Sequence, residues 1–385
     1  MYILLIISSI IASILWLIQL VFSFLYIYKK RKVKNFKCPS FTVIIPSFNE
    51  SNEALTKTID SILNQKNINE FEIIVIDDGS KNPLLIDTKS NVQLIRTEDN
   101  QGKREAQAIG ILKAQYEWII TVDSDTILDE NCIYNILKNC EEEQVDACTG
   151  NVLLSNENEN LLTKMSACMY WFSFFQERAS QSYFKSVICC SGAISCYRKQ
   201  IVLDHLEEYT NQIFLNQKCQ IGDDRHLTNL FILNNKNVSW SLDSVAYTDA
   251  PSNYDKFIKQ QIRWAKGNAI SFFYIIPRIH KWSLSYAFFT FALVYRYLYI
   301  FKLYIIMLIS MLIYQDFYTS MYILLSTLII TFIKMLLAYF YTYDIKFIHM
   351  FSFTLYNFFI LNPIILYSTF TIGHTKWGTR SNEKK

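Results

Sequence analysis

The chain has 385 residues, a formal charge of +3, and 51% hydrophobic and 16% aromatic residues. That length accommodates one large domain or two ordinary ones, and so small a net charge, with its basic residues gathered near apolar segments, excludes a nucleic-acid footprint. The apolar excess lies at the two ends, which indicates a membrane protein with a soluble middle.

From Tyr2 to Tyr28 there is no charged residue, a run longer than the roughly 20 residues a helix needs to cross a bilayer. It has no basic start and no small-residue cleavage site, so residues 1–28 are expected to be a transmembrane anchor and not a signal peptide. The basic linker 29–40, with "KKRKVKNFK" from Lys29 to Lys37, orients the anchor with its amino terminus outside and the following domain in the cytosol.

Residues 41–252 change pattern. Phe41–Pro46, Phe71–Asp77, Asn91–Arg96 and Glu117–Asp123 are short apolar runs of the kind buried parallel strands carry. Asn52–Leu63 and Lys103–Lys113 between them predict helices, and the alternation predicts a doubly wound α/β sheet that binds its ligand at the strands' carboxyl ends. Polar clusters stand at those ends: "PSFNE", "DDGS" and "DSD". Further on, Asn158–Tyr183 predicts a long helix, Val187–Arg198 ("VICCSGAISCYR") two short strands, and Asp223–Leu233 and Tyr254–Trp264 two more helices. The nine cysteines form no C-x-x-C pair and are expected to be reduced, structural thiols.

Residues 253–284 read as interfacial helices and 285–341 as a transmembrane hairpin, Ser285–Tyr314 and Thr319–Tyr341 around a short turn. Within it, Arg296 and Lys302 must either snorkel or face a polar path. Residues 342–372 are expected to form an interfacial or re-entrant segment broken near Asn362–Pro363. That leaves the tail 373–385, with Lys376, Arg380, Lys384 and Lys385, on the cytosolic side.

Asp123 and Asp125 stand two apart at a strand end, so both carboxylates can lie on one face. Two hard oxygen ligands in an open mouth suit Mg²⁺ or Mn²⁺ shared with a diphosphate, although a lone D-x-D is equally the chemistry of a solvated turn. "DDGS", Asp77 to Ser80, is either a turn or an acceptor for nucleoside donors, and Gly102, Lys103 and Arg104 either begin a solvated helix or cradle a diphosphate. Gln260, Arg263 and Trp264 fall on one helix face, where an amide, a guanidinium and an indole can grip a pyrophosphate and a sugar. In "IGDDRHLTN", Ile221 to Asn229, one aspartate suffices as a helix cap. The other, Asp224, kept ionised by the helix amino terminus and Arg225, suits a base; Asp223 is then cap or orienting partner, and His226 is structural.

Taken in order, "PSFNE", "DDGS", "GKR", "DSD", "SGAISCYR", "GDDRHLTN", "QQIRW" and "WGTR" resemble the processive, membrane-embedded family 2 glycosyltransferases. Fuller strings, "TVDSDT", "FQERASQS", "QKCQIGDDRHLTN" and "TKWGTR", are most similar to hyaluronan synthases. The resemblance implies a cytosolic GT-A domain of Rossmann-like, mostly parallel sheet joined to transmembrane helices. It further implies inverting transfer from UDP-GlcNAc and UDP-GlcA to a growing polysaccharide that leaves through the protein's own membrane region. By the same resemblance Asp77 and Asp78 sit at the uridine, Lys103, Arg104, Asp123, Gln260 and Arg263 at the rest of UDP, and Asp123 and Asp125 at the metal. Asp224 is the base, assisted by Asp223, Arg263 and Trp264; Trp264 and Cys219 meet the acceptor, and Trp377 and Arg380 close over the nucleotide. The sequence departs from the family in having one amino-terminal span where bacterial members show two, and "SGAIS" where "SGPLS" is usual. A synthase of chitin type, using UDP-GlcNAc alone, is the alternative within the same resemblance.

Overall fold

The computed structural model describes residues 2–29, 36–86 and 91–373. Helix α1 (Tyr2–Ile27) precedes an α/β domain that opens with β1 (Phe41–Ser47), α2 (Asn52–Leu63), β2 (Phe71–Asp77), β3 (Val92–Arg96), α3 (Lys103–Lys113) and β4 (Trp118–Val122). Next come β5 (Ile127–Leu128), α4 (Cys132–Glu143), β6 (Ala147–Leu154), α5 (Leu161–Trp171), a π-helical turn (Phe172–Arg178), α6 (Ala179–Tyr183) and β7 (Ile194–Arg198). The domain closes with α7 (Lys199–Asp204), α8 (Leu206–Thr210), a small hairpin of β8 (Ile213–Phe214) and β9 (Gln217–Lys218), α9 (Asp223–Leu233) and β10 (Val238–Thr248). Five helices follow: α10 (Tyr254–Ile275), α11 (Leu284–Leu312), α12 (Phe317–Thr342), α13 (Met350–Tyr356) and α14 (Asn362–Phe370).

The eight-stranded sheet has the order β3-β2-β1-β4-β7-β6-β10-β5. Strands β1 to β4 pair in parallel, β7 runs antiparallel between β4 and β6, and β5 runs antiparallel at the edge of β10. Every residue of β1 and β4 is buried, as strands covered on both faces require. Alternation then divides the core: Ile44 packs on one side with Ile111 and Ile119, and Val43 and Ile45 on the other with Leu55, Ile59 and Val75. The register Ser47↔Asp77 puts the carboxyl ends of β1 and β2 side by side, with β4 next to β1.

The predicted α/β sheet is present, with local corrections. The helix expected from Asn158 begins at Leu161, because Asn160 accepts from Thr163 N at 3.0 Å while Thr163 Oγ1 accepts from Asn160 N at 3.0 Å, a reciprocal cap. Of the two strands expected in Val187–Arg198 only β7 forms. Ile188, Cys190, Ser191 and Gly192 give their N–H groups to the side chains of Gln181, Thr228, Thr149 and Asp224, so none is left for a strand ladder.

Among the described residues four helices are long and apolar enough to cross a membrane: Leu5–Ile27, Leu284–Leu312, Phe317–Thr342 and Ile345–Phe370. The break expected near Asn362–Pro363 is absent. A π-helical turn at Asn357–Leu361 precedes Pro363 and re-phases the backbone, so the proline falls in the first turn of α14, where its missing N–H is tolerated. Both ends of this helical run touch the α/β domain, Phe347 packing with Cys168 and Ile372 with Cys219 and Ile221. Arg296 pairs with Glu177 of the first π turn, and Lys302 donates to the Ser8 hydroxyl of α1, so both cations have protein partners.

Candidate active site

Three loops and two helix starts meet at the carboxyl end of the sheet. Beyond β2, Asp77 and Asp78 are 1% and 3% exposed. Asp77 accepts from Ser80 N and Arg96 Nη1, both at 3.1 Å, while Asp78 accepts from Gln101 N at 2.9 Å and Gly102 N at 2.8 Å. Asp78 therefore fixes the loop that delivers Lys103 as the first residue of α3.

Beyond β4, Thr58 Oγ1 donates to Ser124 O at 3.0 Å and Ser124 Oγ to Glu50 Oε2 at 3.1 Å. This turns Ser124 inward, leaving Asp123 half-buried and Asp125 exposed on either side of it. Lys103 Nζ lies 2.8 Å from Asp123 Oδ1, 3.3 Å from Asp223 Oδ2 and 3.9 Å from Asp224 Oδ1. One ammonium thus joins the two acidic clusters that the sequence keeps about a hundred residues apart.

Gly192, in the loop before β7, completes the floor. Its N–H donates to Asp224 Oδ2 at 3.1 Å. A Cβ there would stand 2.9 Å from Lys103 Nζ, 3.1 Å from Asp123 Oδ2 and 3.2 Å from Asp224 Oδ2, so a side chain would fill the cradle. The "SGAIS" string held this residue in view, but nothing in the string marks its backbone as a ligand-side surface.

The electrostatics separate the two adjacent acids. Burial favours the neutral form of Asp223, but the Lys103 charge, the hydrogen bond with Asp224 and the Arg104 charge together outweigh it and hold this carboxyl below the usual carboxylate range. Asp224 is pushed well above that range by burial and by the neighbouring Asp223 charge. Burial alone would lower Lys103, yet Asp123, Asp223 and Asp224 together raise it, so it stays charged. Two expectations are thereby corrected. The cap of α9 is Gly222 in the left-handed region (φ 71°), with no side-chain cap from either aspartate. The helix start and Arg225 do not keep Asp224 strongly acidic, because burial beside an ionised neighbour dominates. His226 is structural as expected: its Nε2 lies 3.1 Å from Glu208 O, and its ring packs between Tyr209 and Tyr274.

Helix α10 reaches the site past a close backbone contact, in which a Cβ on Gly222 would lie 3.3 Å from Gly267 Cα. Gln260 and Arg263 are half-buried, and Trp264 is 36% exposed with its ring 6.2 Å from Tyr170 of α5. Burial pushes the Tyr170 hydroxyl up to about 12; Arg178 and Arg263 oppose the rise, and Asp123 and Asp125 add to it. Tyr170 thus belongs to the same electrostatic environment as the acids, and the apolar helix pattern around it hid that.

Two expected residues are not brought to the cluster. Arg104 points into the protein, 4% exposed, and Cys219 is sealed among Ile221, Ile270 and Ile372 at 1% exposure. Trp377 and Arg380 lie outside the described residues. No group of three or more His, Cys, Asp or Glu among the described residues is arranged to enclose a metal ion. An open pair such as Asp123 and Asp125 fits a hard divalent cation that keeps water and takes further oxygens from a substrate.

Comparison with known proteins identifies the family and the fold. Residues 42–206 match the model of the glycosyl transferase family 2. The hyaluronan synthase of Streptococcus pyogenes is 34% identical over 383 residues, covering 94% of this chain and 88% of that protein. An N-acetylglucosaminyltransferase of Rhizobium sp. (strain N33) is 33% identical over 235 residues, 59% of this chain and 52% of the relative. A mannosyltransferase of Pyrobaculum calidifontis, solved with GDP-Man and Mn²⁺, superposes with a TM-score of 0.55 at 14% identity, covering 92% of this chain and 98% of that one, which establishes the GT-A type of fold. The chain belongs to the family 2 glycosyltransferases, among the hyaluronan synthase-like enzymes.

Proposed function

We propose that the protein polymerises UDP-GlcNAc and UDP-GlcA by inverting transfer and passes the growing polysaccharide through its own membrane helices. The observation that carries this reading is the convergence of Asp123, Asp223 and Asp224 on Lys103, in a chain whose likeness to a hyaluronan synthase extends over 94% of its length.

In the transfer, an acceptor hydroxyl attacks the anomeric carbon of the donor sugar, the bond to UDP breaks, and the hydroxyl proton passes to Asp224. A carboxylate of raised basicity is suited to that proton, and Gly192 N–H holds one of its oxygens in place. Asp223 remains ionised beside it. Asp77 and Asp78 shape the loop under the uridine, Lys103, Gln260 and Arg263 bind the diphosphate, and Trp264 carries the acceptor ring, with Tyr170 beside it. Asp123 and Asp125 would hold Mg²⁺ or Mn²⁺, whose charge offsets that of the departing diphosphate. Trp377 and Arg380, which lie outside the described residues, would complete the nucleotide site.

The setting is the plasma membrane, with the catalytic domain and tail cytosolic. Contact of both ends of the 345–370 run with the α/β domain supports the tail's placement. A second reading, synthesis of a chitin-type chain from UDP-GlcNAc alone, draws on the N-acetylglucosaminyltransferase relatives. Membranes containing the protein, given each UDP-sugar alone and both together, decide between them. Polymer is expected only with both; equal polymer from UDP-GlcNAc alone would establish the second reading.

A further inference from the structure

Lys103 and Arg104 are consecutive at the start of α3 and point apart. While Lys103 faces the three carboxylates, the Arg104 guanidinium is buried on the other side of the helix start. Its Nη1 donates to Tyr209 O at 2.9 Å, and its Nη2 donates to Gln212 Oε1 at 2.7 Å and to Ile221 O at 3.1 Å. The guanidinium carbon also stands 5.4 Å over the Tyr209 ring, and the Tyr209 hydroxyl donates back to Gln107 of α3. Three acceptors on two stretches of chain are therefore gathered by one planar fork.

The last acceptor matters most. Ile221 O belongs to the residue before Gly222, the left-handed turn from which α9 starts, and Asp223 and Asp224 are the first two residues of that helix. Gly222 O in turn accepts from His226 N at 3.0 Å. The α3 start, which carries Lys103, is thus tied to the backbone turn that begins α9, which carries the acids, by the bond from Arg104 to Ile221 O.

We propose that Arg104 is a positioning residue for the proton-accepting carboxylate, acting through the Ile221–Gly222 turn and not through contact with the nucleotide. The inference rests on the role given above to Asp224. A lysine ammonium is a point charge on a flexible stem and cannot reproduce a fork with three acceptors in separate directions.

The test compares Arg104→Lys, Gln212→Ala and Gln212→Glu with wild type in the full-length, membrane-embedded protein. UDP release gives kcat and donor KM, and binding of UDP itself gives its Kd. Arg104→Lys is expected to lower kcat on the order of tenfold to a hundredfold, the cost of a displaced catalytic group, with the UDP Kd unchanged. Gln212→Ala should lower kcat less and also spare the UDP Kd, and Gln212→Glu, which keeps an acceptor for the guanidinium, should restore it. A UDP Kd weakened in Arg104→Lys with kcat intact would make Arg104 a nucleotide ligand and overturn the proposal, as would wild-type kcat in both Arg104→Lys and Gln212→Ala. Wild-type turnover in the same assay reports separately on the functional reading.

Discussion

The backbone N–H of Gly192 donates to Asp224 Oδ2 at 3.1 Å, from a position where a Cβ would crowd Lys103, Asp123 and Asp224 at once. Gly192→Ala should therefore disturb all three groups without touching the sheet. Its kcat for UDP release is expected to fall on the order of a hundredfold, with the melting temperature close to wild type. A fully active Gly192→Ala enzyme would show that the cradle is not where sugar and diphosphate meet.

The divergent acidities of the two aspartates set a pH dependence. Asp224 must be ionised to accept a proton, and burial beside Asp223 holds its pKa above the carboxylate range, so kcat/KM should rise with pH above that range. Asp223→Asn removes the neighbouring negative charge, stabilising ionised Asp224 and moving the acid limb down by about one pH unit or more. The measurement is kcat/KM against pH for both proteins. An acid limb that stays in place would assign the titration to another group.

His226 governs stability and not catalysis. Burial, then the charge of Arg104, lowers its pKa from 6.5 to about 3 in the fold. The unfolded chain therefore takes up a proton that the folded chain refuses as pH falls below 6.5. The stabilisation is complete above that value and is lost progressively toward pH 3, amounting to about 2 kcal/mol lost by pH 5. Melting curves of wild type and His226→Gln between neutral pH and pH 5 should converge as the wild type weakens; a constant difference would place a charged imidazole in the fold.

Contacts of Phe347 and Ile372 with one domain motivate a test of the proposed cytosolic tail. A cysteine placed at Lys384 should resist an impermeant thiol reagent in intact cells and react after permeabilisation. Reaction in intact cells would mean that the run from Ile345 to Phe370 crosses the membrane.

Much of this was legible in the sequence where hydropathy and burial agree. The apolar runs of β1, β2 and β4 announced themselves, and β2 and β4 lead directly into the acids Asp77, Asp78 and Asp123. Strands β6 and β10 did not, because their interiors carry buried polar residues. Thr149, Asn151, Ser239 and Ser244 are at most 3% exposed, and their partners are internal: Ser239 Oγ donates to Asn139 Oδ1 at 2.7 Å and Ser244 Oγ to Cys132 O at 2.8 Å. Such pairing makes a strand core look like a loop in composition. The misplacement of Arg104 has a similar cause. Successive helix residues point about 100° apart, so a "GKR" string can send one cation into the site and the next into the protein, and only packing decides which.

Asp224, and not the acid beside it or the D-x-D pair, is the group proposed to take the acceptor proton. Elongation by Asp224→Asn at saturating donor, measured beside its UDP affinity, tests this most directly. Elongation is expected to fall on the order of a hundredfold or more, with UDP bound as tightly as by wild type. Elongation at the wild-type rate, or its loss only in proportion to weakened UDP binding, would contradict it.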